Sequence, residues 1–65
     1  MPQQIEEISV LIVETNANMR SQLRNMLTLC GVSKIALAVS AGVAVRMLRD
    51  RNYDVILCEY HLGDG

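Results

Sequence analysis

The sequence predicts an α/β fold: a βαβαβ unit whose parallel sheet has the strand order 2-1-3. Three observations lead there. Residues 8–13 are a continuous β-rich run of the kind expected of a strand buried on both faces, and 53–59 are a second apolar strand-like run. Two stretches of helical periodicity alternate with them, separated by a short apolar run at 34–39. Each of the two longer runs meets an acid at its end, Glu14 and Glu59. Right-handed crossovers in a doubly wound sheet require the order 2-1-3 and put the carboxyl ends of the strands on one rim. Glu14 and Glu59, distant in sequence, are therefore expected close together on that rim.

The elements follow in order. Residues 1–7, with Gln3, Gln4, Glu6 and Glu7, read as a flexible N-terminal arm, and 8–65 as the domain. After the first strand, Thr15, Asn16 and Asn18 are helix-capping types. Met19, Leu23, Met26, Leu27 and Cys30 then recur on one helical face. Gly31 is suited to stop that helix at C′. In the second strand Ile35, Leu37 and Val39 share a face. Ser40 can cap a second helix, whose apolar side is assigned to Ala44, Val45 and Leu48, with Met47 beside them and Val43 on the flank. The methionines Met19, Met26 and Met47 fit core packing. Asp50, Arg51 and Asn52 close the second helix. The third strand runs into a turn rich in Gly and Asp at 60–65. Asp54, at its start, suits turn chemistry.

Composition bounds the function. A chain of 65 residues is at most one small domain, and 51% of its residues are hydrophobic without a single Phe or Trp. That much aliphatic surface in so short a chain calls for a further partner. The net charge of −1 gives no footprint for nucleic acid. Arg20, Arg24, Arg46, Arg49 and Arg51 lie at helical spacing and read as solvated helix faces. No apolar run approaches the roughly 18 residues of a membrane span, and the polar, acidic N-terminus is unlike a signal peptide. A cytoplasmic location is the expectation. Cys30 and Cys58 form no metal or redox motif and read as small buried hydrophobes.

Taken in order and spacing, residues 10–65 resemble the N-terminal half of the receiver domain of two-component response regulators, of the chemotaxis-regulator, flavodoxin-like type. The stretch Val10-Leu11-Ile12-Val13-Glu14-Thr15-Asn16 is similar to the family's first strand and acidic turn. Met19-Arg20 with Leu23, Leu27 and Gly31 resembles its first helix, and Ala44-Val45 with Leu48 its second. Tyr53-Asp54-Val55-Ile56-Leu57-Cys58-Glu59 resembles the strand that ends at the phosphoacceptor, and His61-Leu62-Gly63-Asp64-Gly65 the loop after it.

The resemblance implies a site. In the family, a carboxylate at the end of the third strand takes a phosphoryl group from a phosphohistidine. Two acids after the first strand and a backbone carbonyl two residues past the acceptor hold Mg2+, a hard cation that prefers oxygen ligands and offsets charge during transfer. Carried onto this chain, Glu59 is the acceptor equivalent. The metal ligands would be Glu14, Thr15, Glu59 and the carbonyl of His61. The departures fall on those positions. Glu59 stands where the family has Asp, so its oxygens overshoot by a methylene in a transfer sensitive to about an ångström. Thr15 puts a neutral hydroxyl where the second acid belongs. Glu14 is expected as a solvated turn acid that accepts backbone N–H groups. His61 itself reads as an exposed loop residue. The family's later switch Ser/Thr and phosphate-binding Lys have no counterpart in these residues.

The expectation is a receiver-like signalling module that is no enzyme, works without phosphorylation and acts by protein–protein interaction. Its partners would be other signalling proteins such as a histidine kinase or an output domain, with no nucleic acid or membrane. No cofactor is expected, or Mg2+ if the acidic rim still functions. One alternative is a fragment of a phosphoacceptor receiver with magnesium-dependent transfer. Another is a self-associating half-domain. Because the last strand has no successor in the sequence, its edge and one face lack cover. The chain is expected to be part of a longer receiver or a unit that associates, giving a homo-oligomer if it folds alone.

Overall fold

A computed structural model of the chain describes residues 4–58. After a 3₁₀ turn at Ile5–Glu7, the order is β1 (Ser9–Val13), α1 (Ala17–Leu29), β2 (Lys34–Ala38), α2 (Ala41–Asp50) and β3 (Val55–Cys58). The three strands form one parallel sheet in the order β2-β1-β3. The α/β class, the βαβαβ sequence and the 2-1-3 order are those expected from the sequence. Within the third strand's expected span, Glu59 lies outside the described residues.

β1 is the centre. It pairs with β2 from Ser9↔Lys34 to Val13↔Ala38 and with β3 from Val10↔Val55 to Val13↔Cys58. Its side chains alternate between two separate apolar layers, as the period of a strand requires. On one face Leu11 and Val13 pack with Ala38 and α2's Ala44, joined by Ala36, Val43, Met47 and Tyr53. On the other, Val10 and Ile12 pack with Val32, joined by Leu23 and Leu27 of α1 and by Ile8, Ile35 and Leu57. The helices thus cover opposite faces, the doubly wound arrangement. Leu11 and Ile12 are completely buried. That explains the unbroken apolar run from Val10 to Val13, since no position in it faces water.

Local chemistry sets the helix ends. The Asn16 side chain caps α1 by accepting the Met19 N–H at 3.0 Å, and Ser40 Oγ caps α2 by accepting the Val43 N–H at 3.2 Å. Each such cap is worth about 1 kcal/mol. At the other end of α1, Gly31 takes φ 101°, a left-handed conformation open to glycine. The Gly31 N–H then reaches the Thr28 carbonyl, and the Val32 N–H the Leu27 carbonyl, both at 3.0 Å. This is a Schellman motif, and its usual apolar contact is present because Val32 and Leu27 share the α1-side layer. The 3₁₀ turn at 5–7 lies within the segment read as a loose arm. It is held by reciprocal bonds between Gln4 and Glu7 and by Ser33 Oγ donating to the Glu6 carbonyl.

Several burial assignments need correction. Cys30 and Cys58, read as buried, are both exposed. Met26, assigned to the core face of α1, is 61% exposed. The sheet beneath α1 is wide enough to seat Leu23 and Leu27, and the residues turned further around the helix miss it. On α2 the residues facing the sheet are Val43, Ala44 and Met47, while Val45 and Leu48 are exposed. The sheet selects the stripe centred on Ala44, whose small side chain lets the helix approach. In β2, Leu37 is exposed and the small Ala36 and Ala38 do the packing under α2. Val39 lies just beyond the strand and is exposed.

The two completely buried leucine-type positions should dominate stability. Leu11→Ala is expected to cost about 2–5 kcal/mol. Leu29→Ala, at a residue 88% exposed, should change stability by less than about 0.5 kcal/mol. Urea unfolding followed by circular dichroism measures both.

Candidate functional site

The candidate site is the rim at the carboxyl end of β1, where the chain turns from Val13 into α1. The β1–β2 ladder extends one step past the strand, with the Glu14 N–H donating to the Ala38 carbonyl at 3.1 Å. Glu14 is therefore fixed by the sheet rather than by the turn. Its side chain is 1% exposed. This corrects the expectation of a solvated acid. The expected acceptance of backbone N–H groups does hold: the Asn16 N–H donates to Glu14 Oε2 at 2.8 Å. A buried carboxylate needs such partners, since desolvation without them costs several kcal/mol. Among the described residues no buried side-chain nitrogen or oxygen lacks a hydrogen bond.

Arg20 completes the turn. Its Nη1 donates to the Glu14 carbonyl at 2.8 Å and to the Thr15 carbonyl at 3.1 Å. Read from sequence as part of a solvated helix face, Arg20 is instead half-buried and folded back over its own N-terminus. Its place one turn into α1 was the available signal. Side chains in a helix lean toward the preceding turn, and the carbonyls of a strand-to-helix turn have no helical partner. The remaining arginines, Arg24, Arg46, Arg49 and Arg51, are exposed as expected.

Thr15 is exposed beside Glu14 and offers a neutral hydroxyl. Glu59 and His61, the acceptor equivalent and the carbonyl ligand, lie outside the described residues; the positions of the expected site that are described are Glu14 and Thr15, neighbours in the chain. Cys58, which precedes Glu59 in sequence, pairs with Val13, which precedes Glu14. Among the described residues no group of three or more His, Cys, Asp or Glu side chains is arranged to hold a metal. The donor set at the β1 end fits Mg2+ poorly. One carboxylate is turned inward onto a backbone N–H, the two nearest carbonyls accept from a guanidinium, and the neighbouring position is a hydroxyl.

A second polar cluster, at the opposite end of the sheet, ties β3 to β1. Asp54 Oδ2 accepts from the Ser9 N–H at 2.8 Å and from Ser9 Oγ at 3.2 Å. The Asp54 N–H returns a bond to the Ser9 carbonyl at 2.9 Å. Asp54 thus serves a long-range closure rather than a local turn.

No helix among the described residues is long and apolar enough to cross a membrane. Comparison with protein-family models, with characterised proteins and with solved structures gives no match.

The turn's rigidity can be tested directly. Arg20→Ala, which removes a charged donor from two carbonyls, should cost about 1–3 kcal/mol, whereas Thr15→Ala at the exposed neighbour should cost less than about 0.5 kcal/mol. Equal losses in thermal unfolding would show that Arg20 does not hold the turn.

Proposed function

We propose that the chain is a receiver-like signalling module of the two-component type that works without phosphorylation, through protein–protein contacts. The observation that carries this reading is the rim itself. The parallel β2-β1-β3 sheet supplies the scaffold. At the end of its central strand the acid is buried and committed to the Asn16 N–H, with a neutral threonine next to it. A phosphotransfer site needs carboxylates open to a cation and to the incoming phosphoryl group. A turn whose carboxylate and carbonyls are already used by the chain serves better as a fixed surface feature. Its partners on this reading are other signalling proteins, such as a histidine kinase or an output domain.

The rival reading is a phosphoacceptor receiver with magnesium-dependent transfer to Glu59. The two separate cleanly. Incubation with a small acyl-phosphate donor and Mg2+ should leave the mass of the chain unchanged. A labile, magnesium-dependent phosphoryl adduct on Glu59 would refute the proposal and establish the rival. A flat Mg2+ titration followed by tyrosine fluorescence is the corresponding binding result.

One observation favours a second mode of action, self-association. β3 pairs only with β1 among the described residues, and it exposes Val55 by 41% and Ile56 by 48%, on opposite faces. Apolar exposure on both faces of an edge strand favours further pairing. Light scattering at micromolar concentration should then give a mass above that of one chain. A folded monomer under those conditions would remove this mode.

A further inference from the structure

A cavity lies at the foot of the sheet, on the end opposite Glu14, and seven residues line it. They are Ser9, Ser33, Lys34, Ile35, Ala36, Arg51 and Tyr53, around a volume of about 330 Å3. That is the low end of the range for small-molecule sites, about 300–1,000 Å3. Its charge is one-sided: Lys34 and Arg51 line it and no carboxylate does. Both cations are exposed. The register places Lys34 beside Ser9 at the start of the β1–β2 ladder, so one cation is fixed at its Cα by the sheet. The other is oriented by a ring, since the Arg51 guanidinium lies 5.6 Å from the Tyr53 centroid. Arg51 follows α2 and could have turned onto that helix's terminal carbonyls, yet its guanidinium sits over Tyr53, on the cavity.

The nearby polar groups are accounted for. Ser33 Oγ donates to the Glu6 carbonyl, and Ser9 Oγ donates to Asp54. Asp54, the nearest described acid bonded to a cavity residue, is held by Ser9 and does not line the cavity. The donors left for a ligand are therefore the ammonium of Lys34, the guanidinium of Arg51 and the phenol of Tyr53. Beneath them Ala36, on the same face of β2 as Lys34 and in the same apolar layer as Tyr53, gives a small apolar floor.

We infer that this cavity binds a small phosphate-bearing molecule. A planar guanidinium fork and a neighbouring ammonium match a dianionic phosphate, the fork through paired bonds and the ammonium as a point charge. The half-buried Tyr53 ring and the apolar floor would hold a compact organic group attached to it. This site is independent of the rim at Glu14.

The test is a titration of the full chain with inorganic phosphate and with phenyl phosphate, at constant ionic strength set with sodium chloride and read by 1H–15N correlation spectra. The expected result is saturable shifts confined to Ser9, residues 33–36, Arg51 and Tyr53. Lys34→Gln and Arg51→Gln should each weaken binding about tenfold, and the charge-preserving Lys34→Arg should retain it. Equal binding of the two probes would assign the site to the phosphate group alone, and tighter binding of phenyl phosphate to the ester. Shifts that do not saturate, that scatter over the surface, or that persist unchanged in both Gln variants overturn the inference. Should Arg51→Gln disturb Tyr53, the comparison of Lys34→Gln with Lys34→Arg decides alone, because that side chain is exposed.

Discussion

Everything in this fold hangs on β1. Among the described residues it is the only strand hydrogen-bonded on both sides and packed on both faces, and Val10 to Val13, with Glu14 just past them, are all buried. Each helix meets the sheet through β1 side chains, α2 through Leu11 and Val13, α1 through Val10 and Ile12. The two apolar layers share no residue and are joined through this strand's backbone. In so small a domain neither layer suffices by itself, so the central strand couples their stabilities.

The polar chemistry is arranged at the two ends of that strand. At one end Ser9 meets Asp54 and at the other Glu14 meets Asn16 and, through its carbonyl, Arg20. Both clusters join a side chain to a backbone group. Both therefore fix register and turn shape, which hydrophobic packing, being non-directional, leaves open.

The layers, the strand order and the helix caps were legible from the sequence because they follow from short-range patterns. The apolar run of β1, the Ser40 and Asn16 caps and the left-handed Gly31 each have a local cause. Burial of particular helix residues was less legible. Periodicity shows that Val45, Leu48 and Met26 could face a core, but the width of a three-stranded sheet decides whether core is there. Cys58 was misread for a related reason, since its strand lies at an edge. Glu14 was misread because composition treats an acid after a strand as wet, whereas the Ala38 carbonyl draws its backbone into the ladder. Arg20 and the Ser9–Asp54 clamp depend on atoms brought together by the fold. Glu59 was singled out as the acid ending the third strand, but its acceptor role, like the carbonyl role of His61, came from a resemblance alone, and both lie outside the described residues.

The bonds from Arg20 have a mechanical consequence. A guanidinium anchored in α1 and bonded to the carbonyls of Glu14 and Thr15 locks the strand and the helix into one stiff body. The β1–α1 corner cannot serve as a hinge without breaking both bonds at once. The corner between β2 and α2, at Val39 and Ser40, is held by the Ser40 cap, by the Ala44 N–H on the Ser40 carbonyl and by Ala44 packed on Ala38, and among the described residues no charged side chain is bonded back across it. Rearrangement of this domain would therefore pivot on α2 and leave the β1–α1 half as the fixed frame of reference.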